Sequence, residues 1–159
     1  MKSPQISIVT PCYNSTAFVG RLHASLVRQS YRDFEWITVD DKSSDGTIET
    51  LKELPSPGEG GMRIFALPQN SGGGGATGFG VEKAAGGILL IVDQDDELEE
   101  FALQTLAAAW RTVATRDSIG GMYFRRSSPS TNEVIGEALE EGVEFTMSWQ
   151  SNTKPTITD

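Results

Sequence analysis

The 159-residue sequence predicts an α/β fold, a mostly parallel sheet with helices on both faces followed by a C-terminal β-hairpin. Three observations predict it. Short apolar or β-branched runs alternate with helical patterns, in the order β-α-β-α-β-α-β-α, and such alternation folds through right-handed crossovers. The run Ile88 to Val92 carries no polar residue, which is how a strand buried on both faces of a parallel sheet reads. Acid pairs follow two of the strands, Asp40-Asp41 and Asp93/Asp95/Asp96, so both would stand on one sheet edge.

Taken in order, Ile6 to Thr10 is a β-branched first strand closed by Pro11. A loop follows, with Asn14 or Ser15 as cap of a helix whose Phe18, Leu22 and Leu26 share one face. His23, the sole histidine, sits beside that face and reads as a packing or surface residue. Phe34 to Val39 is the second strand. Ser44 or Asp45 then caps a helix whose apolar residues Ile48, Leu51 and Leu54 fall three apart. Pro55 to Gly61 is a surface loop, and Arg63 to Leu67 the third strand.

The run Gly72 to Gly75 leaves the backbone free to approach a ligand closely, and is equally compatible with a floppy linker. Its spacing does not match a dinucleotide fingerprint. Val81 to Ala85 is a short helix leading to the fourth strand. Leu98 to Arg116 is the longest helical pattern, with Phe101, Leu106, Ala109, Trp110 and Val113 as its buried stripe. Met122 to Arg126 and Glu133 to Leu139 form the hairpin, and residues 146–159 read as a tail or as the start of a further region.

Composition excludes several classes. Hydrophobic content of 38% and charged content of 22% suit a globular chain. No apolar run approaches a membrane span, and the N-terminus has no signal-peptide layout. Cys12 is the single cysteine, so neither an intrachain disulfide nor a cysteine-rich zinc site can form. These points fit a cytoplasmic setting, with peripheral association at the inner face of the membrane left open. A net charge of -9 argues against nucleic acid as a partner. The acidic excess begins at Asp93, at a strand end, where ligands of open α/β sheets bind. An oxygen-rich cluster there suits a hard divalent cation that also holds phosphate, or equally a solvated acidic helix start.

Three segments in order resemble family-2 glycosyltransferases of the GT-A fold, a Rossmann-like nucleotide-diphospho-sugar transferase fold. They are ISIVTPCYN (6–14), FEWITVDDKSSDGT (34–47) and GGILLIVDQDDEL (86–98). The resemblance implies transfer of a sugar from a UDP- or dTDP-sugar to a sugar or glycolipid acceptor, with inversion, in cell-envelope or polysaccharide synthesis. It implies that Asp41 accepts a base N–H and that Pro11 and Tyr13 shape the base and ribose pocket. Gly72 joins these in the nucleotide-binding set. The D-x-D acids imply that Asp93 holds the ribose side and that Asp95 and Asp96 hold Mn²⁺ or Mg²⁺ on the diphosphate.

Two departures stand out. The arginine of the family's A-R-N-x-G segment is Thr77 here. The E-D pair that carries the acceptor-deprotonating base has no counterpart, so no catalytic base is assigned. Residues 1–145 are expected to form the donor-binding domain of a longer transferase. A non-catalytic nucleotide-sugar-binding module and a nucleotidyltransferase of similar fold are the alternatives.

Overall fold

The structure is a computed structural model. It describes residues 3–114 and, beyond them, only the backbone of four short strands. The chain divides into two compact units, Met1–Thr105 and Leu106–Asp159.

The first unit is built on four parallel strands: β1 (Ile6–Cys12), β2 (Phe34–Asp40), β3 (Met62–Ala66) and β4 (Ile88–Ile91). Their order is β3-β2-β1-β4. Each crossover carries a helix: α1 (Val19–Val27), α2 (Thr47–Glu53) and α3 (Gly72–Lys83). The central pair β1–β2 is fully buried apart from Pro11, because branched and aromatic residues fill both faces. One face places Val9, Ile37 and Val39 against Ala76 of α3, with Phe65, Leu67 and Phe79 around them. On the other face Trp36 meets His23 of α1, ring centroids 5.9 Å apart, and donates its indole N–H to Thr10 Oγ1 at 3.0 Å. His23 Nε2–H donates to the Pro55 carbonyl at 2.8 Å, so the one histidine packs and bonds inside the fold.

Beneath α3 a buried carboxylate ties three strands together. Glu35 accepts from Ser7 Oγ at 2.5 Å, from Ala85 N–H at 2.8 Å and from Arg63 at 2.7 Å. The same guanidinium donates to the Lys83 carbonyl at the end of α3, where helices leave acceptors unpaired. Gln29 does a similar job on the α1 side. Its amide donates to the Ser25 and Glu99 carbonyls and accepts the Leu103 N–H, which fixes the segment after the acid cluster.

Four expectations are corrected. The glycine run is not a loop: α3 starts at Gly72 and spans 12 residues, where only a short helix from Val81 was expected. Packing overrides the poor helix propensity of glycine here. A Cβ on Gly80 would lie 2.5 Å from Val9 Cγ1 and 3.1 Å from Val39 Cγ2, so the helix approaches the sheet as only glycine allows. Second, β4 is not buried on both faces. Ile88 and Val92 are buried, but Leu89 and Ile91 are 42% and 50% exposed. Strand β4 ends the sheet order, and α3 lies over β1 and β2.

Third, neither Asn14 nor Ser15 caps α1. The helix begins at Val19, after a turn in which the Ser15 carbonyl accepts the Phe18 and Val19 N–H groups. Fourth, α4 (Ala102–Val113) begins after Phe101, which is exposed, and buries Leu103, Leu106 and Ala107. Leu106 is buried as expected and Ala109, Trp110 and Val113 are half-buried, but Phe101 drops out because the chain from Leu98 to Phe101 is held by Gln29 and α1 rather than by a helix.

In the second unit β5 (Arg126–Ser127) pairs antiparallel with β6 (Val134–Ile135), and β7 (Thr146–Ser148) with β8 (Thr156–Thr158). The rest of the hairpin expected over residues 122–139 lies outside the described residues. Among the described residues no helix is long and apolar enough to cross a membrane.

Candidate functional site

At the carboxyl ends of the strands the four loops are stitched together in the order of the sheet. The β1 loop meets the β2 loop through a row of hydrogen bonds. Asn14 N–H donates to Ser43 Oγ at 2.9 Å, and Ser44 N–H returns one to Asn14 Oδ1 at 3.0 Å. Ser15 N–H donates to Thr47 Oγ1 at 2.8 Å, and Thr16 N–H to Asp45 Oδ2 at 3.1 Å. Asn14 and Lys42 take positive φ, 49° and 63°, to make these turns. Asp41 joins β2 to the β3–α3 loop. Its N–H donates to the Cys12 carbonyl at 2.8 Å, and its Oδ1 accepts the Ser71 N–H at 2.6 Å. Asn70 Nδ2 donates to the Asp41 carbonyl at 3.2 Å. On the other side Gln94 grips Tyr13, accepting its N–H at 2.7 Å and donating to its carbonyl at 3.3 Å.

These loops enclose a cleft lined by Pro11, Cys12, Tyr13, Asp41, Gly73, Asp93, Gln94 and Asp95. It therefore brings together Pro11, Tyr13, Asp41, Asp93 and Asp95 of the residues singled out in the sequence. Gly72 is not among the lining residues. Its N–H donates to Asn70 Oδ1 at 3.1 Å with φ 75°, and its neighbour Gly73 lines the cleft instead. Asp96 also stands outside the lining, its N–H donating to the Asp93 carbonyl at 3.1 Å in a turn. Cys12 and Gln94 line the cleft and were missed. Cys12 could have been found from its place between Pro11 and Tyr13. Gln94 gives no sign in sequence, because its partner is 81 residues away.

The electrostatics are one-sided. Among the described residues three carboxylates, Asp41, Asp93 and Asp95, line the cleft, and no Lys or Arg does. Asp41 is buried, whereas Asp93 and Asp95 are exposed to solvent. Burial pushes the Cys12 thiol up to about 12; a hydrogen bond with Ser15 pulls against this, and the nearby Asp40 carboxylate adds to it. The thiol is thus neutral and weakly nucleophilic at ordinary pH. Asp40 itself is buried, with Oδ2 accepting the Ser43 N–H at 3.0 Å.

Among the described residues no three His, Cys, Asp or Glu side chains form a ready metal cage. A divalent ion held on a diphosphate does not need one. Mg²⁺ keeps several waters and takes one or two carboxylates plus the substrate's phosphates. Asp93 and Asp95 fit that donor set. An anion entering beside these carboxylates would be repelled, and a cation between them would offset that.

A parallel sheet in the order β3-β2-β1-β4, with an acid-lined cleft at its carboxyl edge, defines a GT-A-like α/β domain. The model of glycosyl transferase family 2 matches residues 7–156, and the chain belongs to that family. It is 28% identical over 145 residues to the GalNAc(5)-diNAcBac-PP-undecaprenol beta-1,3-glucosyltransferase of Campylobacter jejuni, covering 89% of this chain and 46% of that one. The structure of Staphylococcus aureus TarS 1–349 in complex with UDP-GlcNAc matches with a TM-score of 0.65 and 26% identity, over 77% of this chain and 37% of that one. A mannosyltransferase of Pyrobaculum calidifontis, in complex with GDP-Man and Mn²⁺, shares the fold with a TM-score of 0.61 and 22% identity, over 76% of this chain and 35% of that one. The chain spans less than half the length of these curated relatives.

Proposed function

We propose that this chain is the donor-binding part of an inverting glycosyltransferase. It would take a UDP- or dTDP-sugar and serve transfer to the hydroxyl of a sugar or glycolipid acceptor in cell-envelope or polysaccharide synthesis. The observation that carries this reading is the cleft itself: Pro11, Tyr13, Asp41, Asp93 and Asp95, drawn from three strand ends, line one space. The complex of TarS with UDP-GlcNAc and the undecaprenol-linked substrate in the name of the Campylobacter enzyme support the donor and acceptor classes. Peripheral work at the inner face of a membrane follows from such an acceptor.

Each residue then has a task. Asp41 is held by the Ser71 N–H through Oδ1, and Oδ2 is the atom we assign to a base N–H. Pro11 and Tyr13 flank the base and ribose. Asp93 faces the ribose side, and Asp95 with Asp96 would hold Mn²⁺ or Mg²⁺ against the diphosphate. The Mn²⁺ in the Pyrobaculum complex supports that choice. When bound, such an ion offsets charge on the departing nucleoside diphosphate. The Asp96 N–H donates to the Asp93 carbonyl at 3.1 Å, which keeps this acid beside the other two. The donor-binding domain is read as residues 1–145.

Titration calorimetry with UDP tests the reading. Binding in Mn²⁺ should be at least tenfold tighter than in EDTA. Equal affinity in both buffers contradicts the metal assignment, and no binding in either contradicts the nucleotide assignment.

A further inference from the structure

The cleft exists because β1 parts from β4 before it parts from β2. On the β2 side the ladder continues to the Cys12–Asp40 pair, and the Asp41 N–H then donates to the Cys12 carbonyl. On the β4 side the last pair is Val9–Ile91, closed by the Val92 N–H on the Val9 carbonyl at 3.0 Å. From there the two chains diverge, and Pro11 and Cys12 line the gap. The fork is bridged again at Tyr13, by a side chain. A glutamine amide carries one donor and one acceptor, as a peptide group does. Gln94 uses both on the backbone of a single residue, accepting from Tyr13 N–H at 2.7 Å and donating to Tyr13 O at 3.3 Å.

We propose that Gln94 is a positioning residue whose amide clasps the Tyr13 backbone and sets the gap between the two walls of the cleft. The inference rests on the nucleotide reading above and adds what fixes the spacing of that site. One wall is Pro11 and Tyr13. The other is Asp93 and Asp95, the immediate neighbours of Gln94. The clasp holds the walls at one separation, so a ligand that touches both binds to a gap already formed. A ligand that touches only the Tyr13 wall gains nothing from it. Preorganisation of this kind lowers the ordering cost of binding. A serine or alanine here is too short to reach Tyr13. Glutamate keeps the acceptor for the Tyr13 N–H and loses the donor to its carbonyl.

The test uses the whole chain, with Gln94→Ala and Gln94→Glu beside wild type. Two readouts are taken: affinity for uracil and for UDP with Mn²⁺, and exchange of the Tyr13 amide followed by NMR. Gln94→Ala should bind UDP with Mn²⁺ about tenfold more weakly, the scale of one or two lost hydrogen bonds. Its affinity for uracil, the base without the ribose, should stay within about twofold of wild type, which a general loss of structure would not allow. The Tyr13 amide should exchange about fivefold faster or more in Gln94→Ala, and near the wild-type rate in Gln94→Glu. Equal losses for uracil and UDP, or no loss for either, overturn the proposal. If wild type binds no nucleotide, the reading of the cleft fails. The clasp is then judged by exchange alone, and an unchanged Tyr13 rate in Gln94→Ala overturns it.

Discussion

Asp41 and Asp45 stand on one loop and differ in everything but charge. Asp41 is buried, bonded to the Ser71 N–H and faces the cleft. Asp45 is exposed and spends its carboxylate on the loop, accepting from Thr47 N–H, Thr47 Oγ1 and Thr16 N–H. A carboxylate taking a base N–H contributes about 1.5–3 kcal/mol. Asp41→Ala should therefore weaken UDP binding about tenfold or more by calorimetry, and Asp45→Ala by less than about threefold. The reverse ranking would put the base pocket elsewhere. Asp45 has its own signature in acid. Burial alone would raise its pKa, but the hydrogen bonds from Thr47 and Thr16 win and bring it from 3.8 to about 2. A depressed folded-state pKa stabilises above the unfolded value and is lost as pH falls through the folded one. Denaturant midpoints of wild type should fall more steeply than those of Asp45→Asn between pH 4 and pH 2; parallel slopes contradict this. The sequence showed both acids. It read Ser44 or Asp45 as a helix cap, and the structure places Gly46 at that position with φ 91°, Asp45 acting from one residue earlier.

At the scale of elements, β1 and β2 were legible because their apolar runs are dense and end in Pro11 or an acid pair. Helix α3 was not legible. Four glycines carry no periodicity, and the evidence that they are helical lies in the sheet beneath them. The glycines of α3 are not equivalent, which gives a paired prediction. A Cβ at Gly80 meets Val9 at 2.5 Å, so Gly80→Ala should cost about 1–3 kcal/mol through overpacking. At Gly78 a Cβ meets nothing within 4 Å, so Gly78→Ala should stabilise by about 0.5–1 kcal/mol, the helix-interior difference between the two residues. Urea denaturation of both variants checks the pair, and equal effects would mean that α3 does not lie on Val9 as described. Strand β4 misled for a related reason. A run of apolar residues does not report where a strand stands in the sheet order, and β4 stands at its end with Leu89 and Ile91 half open.

For the molecule as a whole, the function lies in how the loops are joined. The stitching runs from the β4 loop through Gln94 to Tyr13, then through Asn14, Ser15 and Thr16 to the β2 loop, then through Asp41 to Ser71 before α3. Four segments far apart in sequence become the rim of one cleft. Their chemistry was readable because acids at strand ends of a parallel sheet must share an edge. The bonds that hold them in register were not, since each joins residues whose pairing only the folded chain shows. The central claim is that this cleft takes a nucleoside diphosphate with a divalent ion. Its most direct test is a titration of the ¹⁵N-labelled chain with UDP and Mg²⁺, followed amide by amide. The account predicts saturable shifts centred on Cys12, Tyr13, Asp41, Gly73, Asp93, Gln94 and Asp95, and much smaller ones when Mg²⁺ is removed. Saturable shifts centred on another surface, or none at millimolar UDP, would contradict it.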